Sequence, residues 1–197
     1  HQAALIEAAQ AGEDALLIAP TGAGKTLAGF LPSLLALAQR RAGENRREHA
    51  LHTLYVSPLK ALATDIARNL ATPVREMGLD IAIETRTGDT PAARRARQRV
   101  RPPDILLTTP EQLMLLVGSD RPDLFFADLQ AVIVDEAHAL APVKRGDMLS
   151  LCLGALQGWA PGLRRTGLSA TMEDEPALAA WLGPAGRPAR IVKGAPG

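Results

Sequence analysis

The sequence predicts an α/β domain, a mostly parallel sheet with helices on both faces. Three observations lead there. Short runs that are apolar throughout alternate with longer stretches of helical spacing. The alternation extends over most of the 197 residues. Polar clusters follow the apolar runs instead of scattering. A strand that is apolar at every position has both faces covered, as in parallel sheets lying between two helix layers. The length fits one such domain.

The elements follow in order. "ALLIA" (15–19) is the first strand and leads into "PTGAGKT". "LAGFLPSLLALA" (27–38) comes next; it is shorter than the ~18 apolar residues of a membrane helix and contains Pro32. "RRAGENRREHA" (40–50) reads as a surface loop. "LHTLYV" (51–56) is the second strand, trailed by "SPLK" (57–60) and by Leu59, Leu62, Ile66 and Leu70 at helical spacing. "IAIET" (81–85) and "DILLT" (104–108) are further strands, the latter ending in "TTPE" (108–111). "GSDRPD" (118–123) is a turn segment, and Phe125 and Phe126 read as packing residues ahead of the strand "AVIVD" (131–135). "DEAH" (135–138) follows, then Leu149, Cys152, Leu153 and Leu156 on one helix face. "TGLS" (166–169) ends in "SAT" (169–171), Trp181 packs in a terminal helical stretch, and "ARIV" (189–192) is the last strand.

Composition bounds the function without naming it. Hydrophobic residues at 47% supply a real core, and a net charge of +1 excludes a globally basic nucleic-acid binder. The single cysteine, Cys152, excludes an intrachain disulfide and a multi-cysteine zinc site and suits a reducing cytosol. The chain begins at His1 and ends in "GAPG", as expected of a piece excised from a longer protein.

In a parallel sheet all strands end on one edge, where open α/β folds bind ligands. Five polar clusters therefore converge there: "PTGAGKT", "SPLK", "TTPE", "DEAH" and "SAT". Two of them suit phosphate chemistry. The stretch "APTGAGKT" (19–26) fits the phosphate-loop pattern at Gly24, Lys25 and Thr26 but has Ala19 where that pattern wants glycine. The loop Thr21, Gly22, Ala23 and Gly24 can turn tightly and aim N–H groups at phosphate oxygens, with a helix amino end behind it. Lys25 is placed for β- and γ-phosphates, and the Thr26 hydroxyl for Mg²⁺. Asp135, ending an apolar strand, is placed to hold Mg²⁺ through water, and Glu136 to orient and deprotonate an attacking water. Each cluster alone has a bland reading, a glycine turn or an acidic helix cap; together they indicate an ATPase.

At these residues the chain resembles the superfamily 2 helicases. Their first motif is A-x-x-G-x-G-K-T, so Ala19 is the expected residue. The resemblance covers essentially all of residues 1–197 as the N-terminal, ATP-binding RecA-like domain, a P-loop fold, with the second RecA-like domain absent. It implies that Gln2, 17 residues before Ala19, reads adenine, and that His138 in "DEAH" senses the second domain. It also implies that Ser169 and Thr171 of "SAT" link hydrolysis to domain movement. "SPLKALATD" (57–65), "TGDT" (87–90), "TTPEQL" (108–113), "KRGD" (144–147) and "GLSAT" (167–171) look like the large helicase-related (Lhr) group. They are most similar to the bacterial ligase-associated DEXH-box helicases of DNA repair. DEAD-box RNA helicases carry P-T-R-E-L in place of "SPLKAL" and end the second motif in aspartate. The resemblance implies an ATP- and Mg²⁺-dependent 3′-to-5′ translocase on single-stranded DNA, cytoplasmic, with a DNA ligase and a nuclease as possible partners and no membrane.

The clusters without phosphate chemistry are candidates for holding the strand. Ser57, Pro58, Lys60, Gly88, Asp89, Thr108 and Thr109 offer hydroxyls, backbone N–H groups and one ammonium, which position a sugar–phosphate backbone without reading bases. The same hydroxyls can instead cap the helices that follow. "RRARQRVR" (94–101) places Arg94, Arg97 and Arg101 on one helix face, as a solvated surface or as a phosphate contact. Aromatics at 3% exclude extensive base stacking. The rivals are an RNA or RNA–DNA hybrid helicase, an ABC- or AAA-type ATPase (no L-S-G-G-Q-like signature is present), and an idle nucleotide-binding module.

Overall fold

Strand residues alternate between two apolar layers, and this fixes the architecture. A computed structural model describes residues 1–20, 24–41 and 50–194. Its strands are β1 (Ala15–Ile18), β2 (Thr53–Val56), β3 (Ile83–Arg86), β4 (Ile105–Thr108), β5 (Ala131–Val134), β6 (Arg164–Ser169) and β7 (Arg190–Lys193). They form one parallel sheet in the order β3-β4-β2-β5-β6-β1-β7. In β1, Ala15 and Leu17 enter one core and Leu16 and Ile18 the other.

The first core lies under α1 (Gln2–Gln10), α2 (Lys25–Arg41) and α3 (Lys60–Glu76). Leu5, Phe30, Leu34, Leu37, Ile66 and Leu70 pack there on Leu17, Tyr55, Leu107, Ile133 and Leu168. On the other face lie α5 (Pro110–Val117), α8 (Lys144–Trp159) and α9 (Glu175–Leu182). They bring Leu113, Leu149, Leu153, Leu156 and Leu182 onto Leu16, Leu54, Leu106 and Val132. Three more helices, α4 (Ala92–Val100) and the one-turn α6 (Pro122–Phe125) and α7 (Ala137–Leu140), lie between strands. The chain has the RecA-like α/β fold, with helices on both faces.

All seven expected strands are present, and β6 starts two residues earlier than its apolar run. The extra length holds Arg165, whose buried guanidinium donates to the carbonyl oxygens of Leu182 and Leu153, each at 3.1 Å. Helix α2 runs on through Pro32 for 17 residues. Among the described residues no helix is long and apolar enough to cross a membrane. Of the expected loop 40–50, residues 40 and 41 end α2, and 42–49 lie outside the described residues. The spacing of Leu62, Ile66 and Leu70 is realised in α3, but Leu59 precedes the helix and is 62% exposed. Phe126 is fully buried and stacks on Trp159 at 5.9 Å, with Phe125 edge-on at 4.9 Å; Trp181 packs on the same core.

The strand order sorts the polar clusters into two groups along one rim. β5, β6 and β1 are neighbours, so "DEAH", "SAT" and the glycine loop share one half. β2, β4 and β3 carry "SPLK", "TTPE" and "TGDT" on the other. Backbone bonds tie the rim together: Ala19 N–H to Ser169 O (3.1 Å), Asp135 N–H to Val56 O (2.9 Å) and Ser57 N–H to Thr108 O (3.0 Å).

Candidate functional site

On the first half, Thr21, Gly22 and Ala23 lie outside the described residues. Gly24 has φ +70, a conformation that L side chains rarely adopt, so glycine suits the last step into α2. Lys25 opens the helix and is 9% exposed; its Nζ donates to the carbonyl oxygens of Ala19 (2.8 Å) and Pro20 (3.0 Å). These bonds hold the ammonium at the base of the loop. Thr26 is half-buried in the first turn, which contains no acidic residue to neutralise the helix's positive end.

Asp135 is 4% exposed at the end of β5. Its Oδ1 accepts the Glu136 N–H at 2.9 Å, and its Oδ2 accepts the hydroxyl of Tyr55 from β2. Burial raises the Asp135 pKa, opposed by the Tyr55 bond, the Glu136 N–H and the charge of Lys25. Burial first, then the Asp135 charge, drives the Tyr55 hydroxyl far above its usual pKa, so it remains a donor. Tyr55 stacks on Phe30 at 5.2 Å, which fixes its ring. Such outer partners orient a metal-binding carboxylate.

Glu136 has φ 48, a left-handed conformation uncommon for a residue other than glycine. Its Oε2 lies 3.3 Å from Nε2 of His138. The other ring nitrogen, Nδ1, accepts the backbone N–H of Ala170 at 3.3 Å and lies 3.2 Å from Ser169 Oγ. A backbone N–H only donates, so Nδ1 is the acceptor there, and Nε2 faces Glu136. Ser169 is fully buried and Thr171 is exposed beyond it. Gln2 is exposed in the first turn of α1. That end adjoins Ala19, since a Cβ on Gly194 would lie 2.4 Å from Ala19 Cβ and 3.4 Å from His1 Nδ1.

The second half departs from expectation. Thr108 is fully buried and donates to Arg86 O at 2.8 Å, so its hydroxyl joins β4 to β3 and does not face a ligand. Ser57 is also fully buried, its Oγ accepting Leu59 N–H at 3.4 Å. Thr109 is the residue before α5 but makes no side-chain cap, and is nearly buried. Lys60 pairs with Asp89 at 2.6 Å, both exposed, and Gly88 beside them is open. The Pro58 carbonyl accepts from Arg145 at 2.9 Å. In α4, Arg97 pairs with Glu84 at 2.7 Å; Arg101 lies past the helix end at φ −129, ψ 79 and so does not share its face.

The sequence reading passed over Tyr55, which holds Asp135, and the pairing of Glu111 with Arg145 behind the second half. Tyr55 is hidden in an apolar run. Glu111 and Arg145 stand inside quoted motifs, but their pairing spans 34 positions. Among the described residues no three His, Cys, Asp or Glu side chains converge as a metal cage. Mg²⁺ held by one carboxylate, one hydroxyl and substrate phosphates needs none, so Thr26 and Asp135 fit that role.

Comparison with known proteins gives the family. The family model for DEAD/DEAH box helicases matches residues 1–179. The chain belongs to the DEAD/DEAH box helicases. It is 42% identical to the Lhr helicase/uracil glycosylase of Escherichia coli (strain K12) over 194 residues, which cover 91% of the chain and 12% of that protein. It is 41% identical to the ATP-dependent helicase Lhr-Core of Methanothermobacter thermautotrophicus, covering 87% and 21%. The structure of Mycobacterium smegmatis helicase Lhr bound to ssDNA and AMP-PNP superposes with a TM-score of 0.83 at 39% identity, over 100% of this chain and 26% of that one. The domain is thus of the Lhr type of ATP-dependent helicase, and it spans less than a quarter of the length of these curated relatives.

Proposed function

We propose that the chain is the first, ATP-hydrolysing RecA-like domain of a helicase that moves 3′-to-5′ on single-stranded DNA in repair. A second RecA-like domain follows in the same protein. The observation that carries this reading is the line Ser169–His138–Glu136 beside Asp135 and Lys25 at three neighbouring strand ends. It joins the residue suited to activate water to the segment suited to couple with a second domain. The Lhr structure bound to ssDNA and AMP-PNP supports the substrate class.

Lys25 exchanges its two carbonyl acceptors for phosphate oxygens, and the helix end behind it favours the same charge. Mg²⁺, when bound at Thr26 and Asp135, neutralises charge on the phosphates. Tyr55 keeps the Asp135 carboxylate oriented for it. Glu136 takes a proton from the attacking water, and the His138 ring holds its carboxylate in place. The remaining positive charge comes from an arginine of the second domain, a contribution of about 10³ to 10⁵ in rate. Gln2 reads adenine, and Thr171 meets the partner domain. A DNA ligase and a nuclease are the partners in the cytoplasm.

The test is ATP turnover by the longer protein with single-stranded DNA, single-stranded RNA or neither, and unwinding of duplexes with 3′ or 5′ tails. DNA-stimulated turnover and opening of 3′-tailed duplexes are expected. Stimulation by RNA alone would replace the DNA reading with an RNA helicase, and 5′-tail preference would reverse the polarity.

A further inference from the structure

Arg145, the second residue of α8, belongs to neither half of the rim, yet it grips both loops of the second half. Its Nε donates to Glu111 Oε1 at 2.6 Å, and its Nη2 donates to Glu111 Oε2 at 3.1 Å and to the Pro58 carbonyl at 2.9 Å. Glu111 lies in the first turn of α5, just after Thr108 and Thr109; Pro58 directly follows Ser57. One planar guanidinium therefore ties the loops after β2 and β4 to the start of α8. Its forked donors match a carboxylate in a way a lysine ammonium does not.

The next residue ties α8 to the first half. Gly146 is buried so close to α7 that a Cβ there would lie 2.3 Å from Leu140 O and 2.7 Å from Ala141 O. Helix α7 starts immediately after Glu136 and carries His138. A continuous contact path runs from Glu136 and His138, through α7 and Gly146, to Arg145 and the two loops. Stability alone is a weak reason for the clamp. The Arg145 and Glu111 side chains are 38% and 51% exposed, and ion pairs that open contribute little.

We propose that Arg145 is a positioning residue that couples the water-activating loop after β5 to the two strand-holding loops after β2 and β4. This rests on the reading of the domain as a nucleic-acid-stimulated ATPase. Arg145 touches neither the nucleotide residues nor the reacting atoms; it acts through Glu111 and Pro58.

The experiment uses the longer protein and four variants: Arg145→Ala, Arg145→Lys, Glu111→Ala, and the double Arg145→Ala/Glu111→Ala. For each, ATP affinity, turnover without nucleic acid, and turnover across a titration of single-stranded DNA are measured. Arg145→Ala should keep ATP affinity and basal turnover within about twofold while losing roughly tenfold of the turnover at saturating DNA. Arg145→Lys should fall between it and wild type. Glu111→Ala should match the loss, and the double variant should lose no more than either single one. Stimulation that survives Arg145→Ala, basal and stimulated rates that fall together, or losses that multiply in the double variant would each overturn the coupling role. If Arg145→Ala does not fold, Arg145→Lys carries the same comparison, and full stimulation there overturns the role of the fork. A wild-type protein that no nucleic acid stimulates would defeat the functional reading itself. Survival of stimulation in the variants alone removes only Arg145.

Discussion

The two halves of the rim use polar residues in opposite ways. After β1, β5 and β6, the side chains suited to phosphate chemistry are each held by a neighbour: Lys25 by two carbonyls, Asp135 by Tyr55, Glu136 by His138. After β2, β4 and β3, side chains hold the loops themselves: Thr108 grips β3, Ser57 its own loop, Arg145 two loops at once. Exposed ends on that half are already paired, as Lys60 is with Asp89. Phosphoryl transfer needs particular atoms at particular points. Holding a strand without reading its sequence needs a shaped backbone, and side chains serve there by fixing that shape.

The contrast can be broken at several points. The largest effect should come from Glu136→Gln in the longer protein, where DNA-stimulated turnover falls by about 10² to 10⁴ while ATP binding stays within about twofold. A variant that still turns over would move water activation elsewhere. Lys25→Ala should weaken Mg²⁺-ATP binding by roughly 100-fold, about 3 kcal/mol, in titration calorimetry. Equal affinity would remove the phosphate loop from the account.

The next effects are on stability, and they differ in sign between the ends of the sheet. Asp135 has its pKa raised by burial, so the folded state retains its proton to higher pH than the unfolded chain. Its contribution is therefore greatest at low pH and is lost as pH rises through the folded pKa. Asp135→Asn should raise the melting temperature of the nucleotide-free chain at neutral pH while abolishing turnover. At the amino end of β2, burial pushes His52 down to about 4, helped by the charges of Arg40 and Arg164. The unfolded chain takes up that proton first, so stability falls as pH drops from about 6.5 to about 4, by up to roughly 3 kcal/mol. His52→Gln should flatten that slope in melts across the range. An unchanged slope would place the acid sensitivity in other groups.

The smallest effect sharpens the second half. Lys60→Ala should weaken single-stranded DNA binding only about twofold to threefold and reduce its salt dependence slightly, because Asp89 already shares that ammonium. A loss of a hundredfold would make Lys60 a direct anchor and erase the distinction between the halves.

Most of the fold was legible because it is written locally. β1, β2, β4 and β5 are short, largely apolar runs buried at every position, and helix faces such as Leu149, Cys152, Leu153 and Leu156 follow a short period. The candidate phosphate residues were read from sequence for the same reason: they sit within two short stretches, 19–26 and 135–138. What escaped is pairing across distance. Tyr55 meets Asp135 over 80 positions, and Arg145 meets Pro58 over 87. The partners of the Ser57 and Thr108 hydroxyls were not legible, because a polar residue at a strand end looks the same in sequence whether it faces a ligand, caps a turn or closes the sheet. Arg101 was misplaced because the helix ends one residue before it.

The Tyr55 hydroxyl on Asp135 has a practical side, since the chain contains 1 tyrosine. A fluorine placed on that ring would give one resonance, already sitting against the carboxylate at the catalytic centre. Its shift would follow every change in the charge that Asp135 carries, without any foreign label on the rim. The chain thus has a built-in gauge of the charge at Asp135, readable in solution.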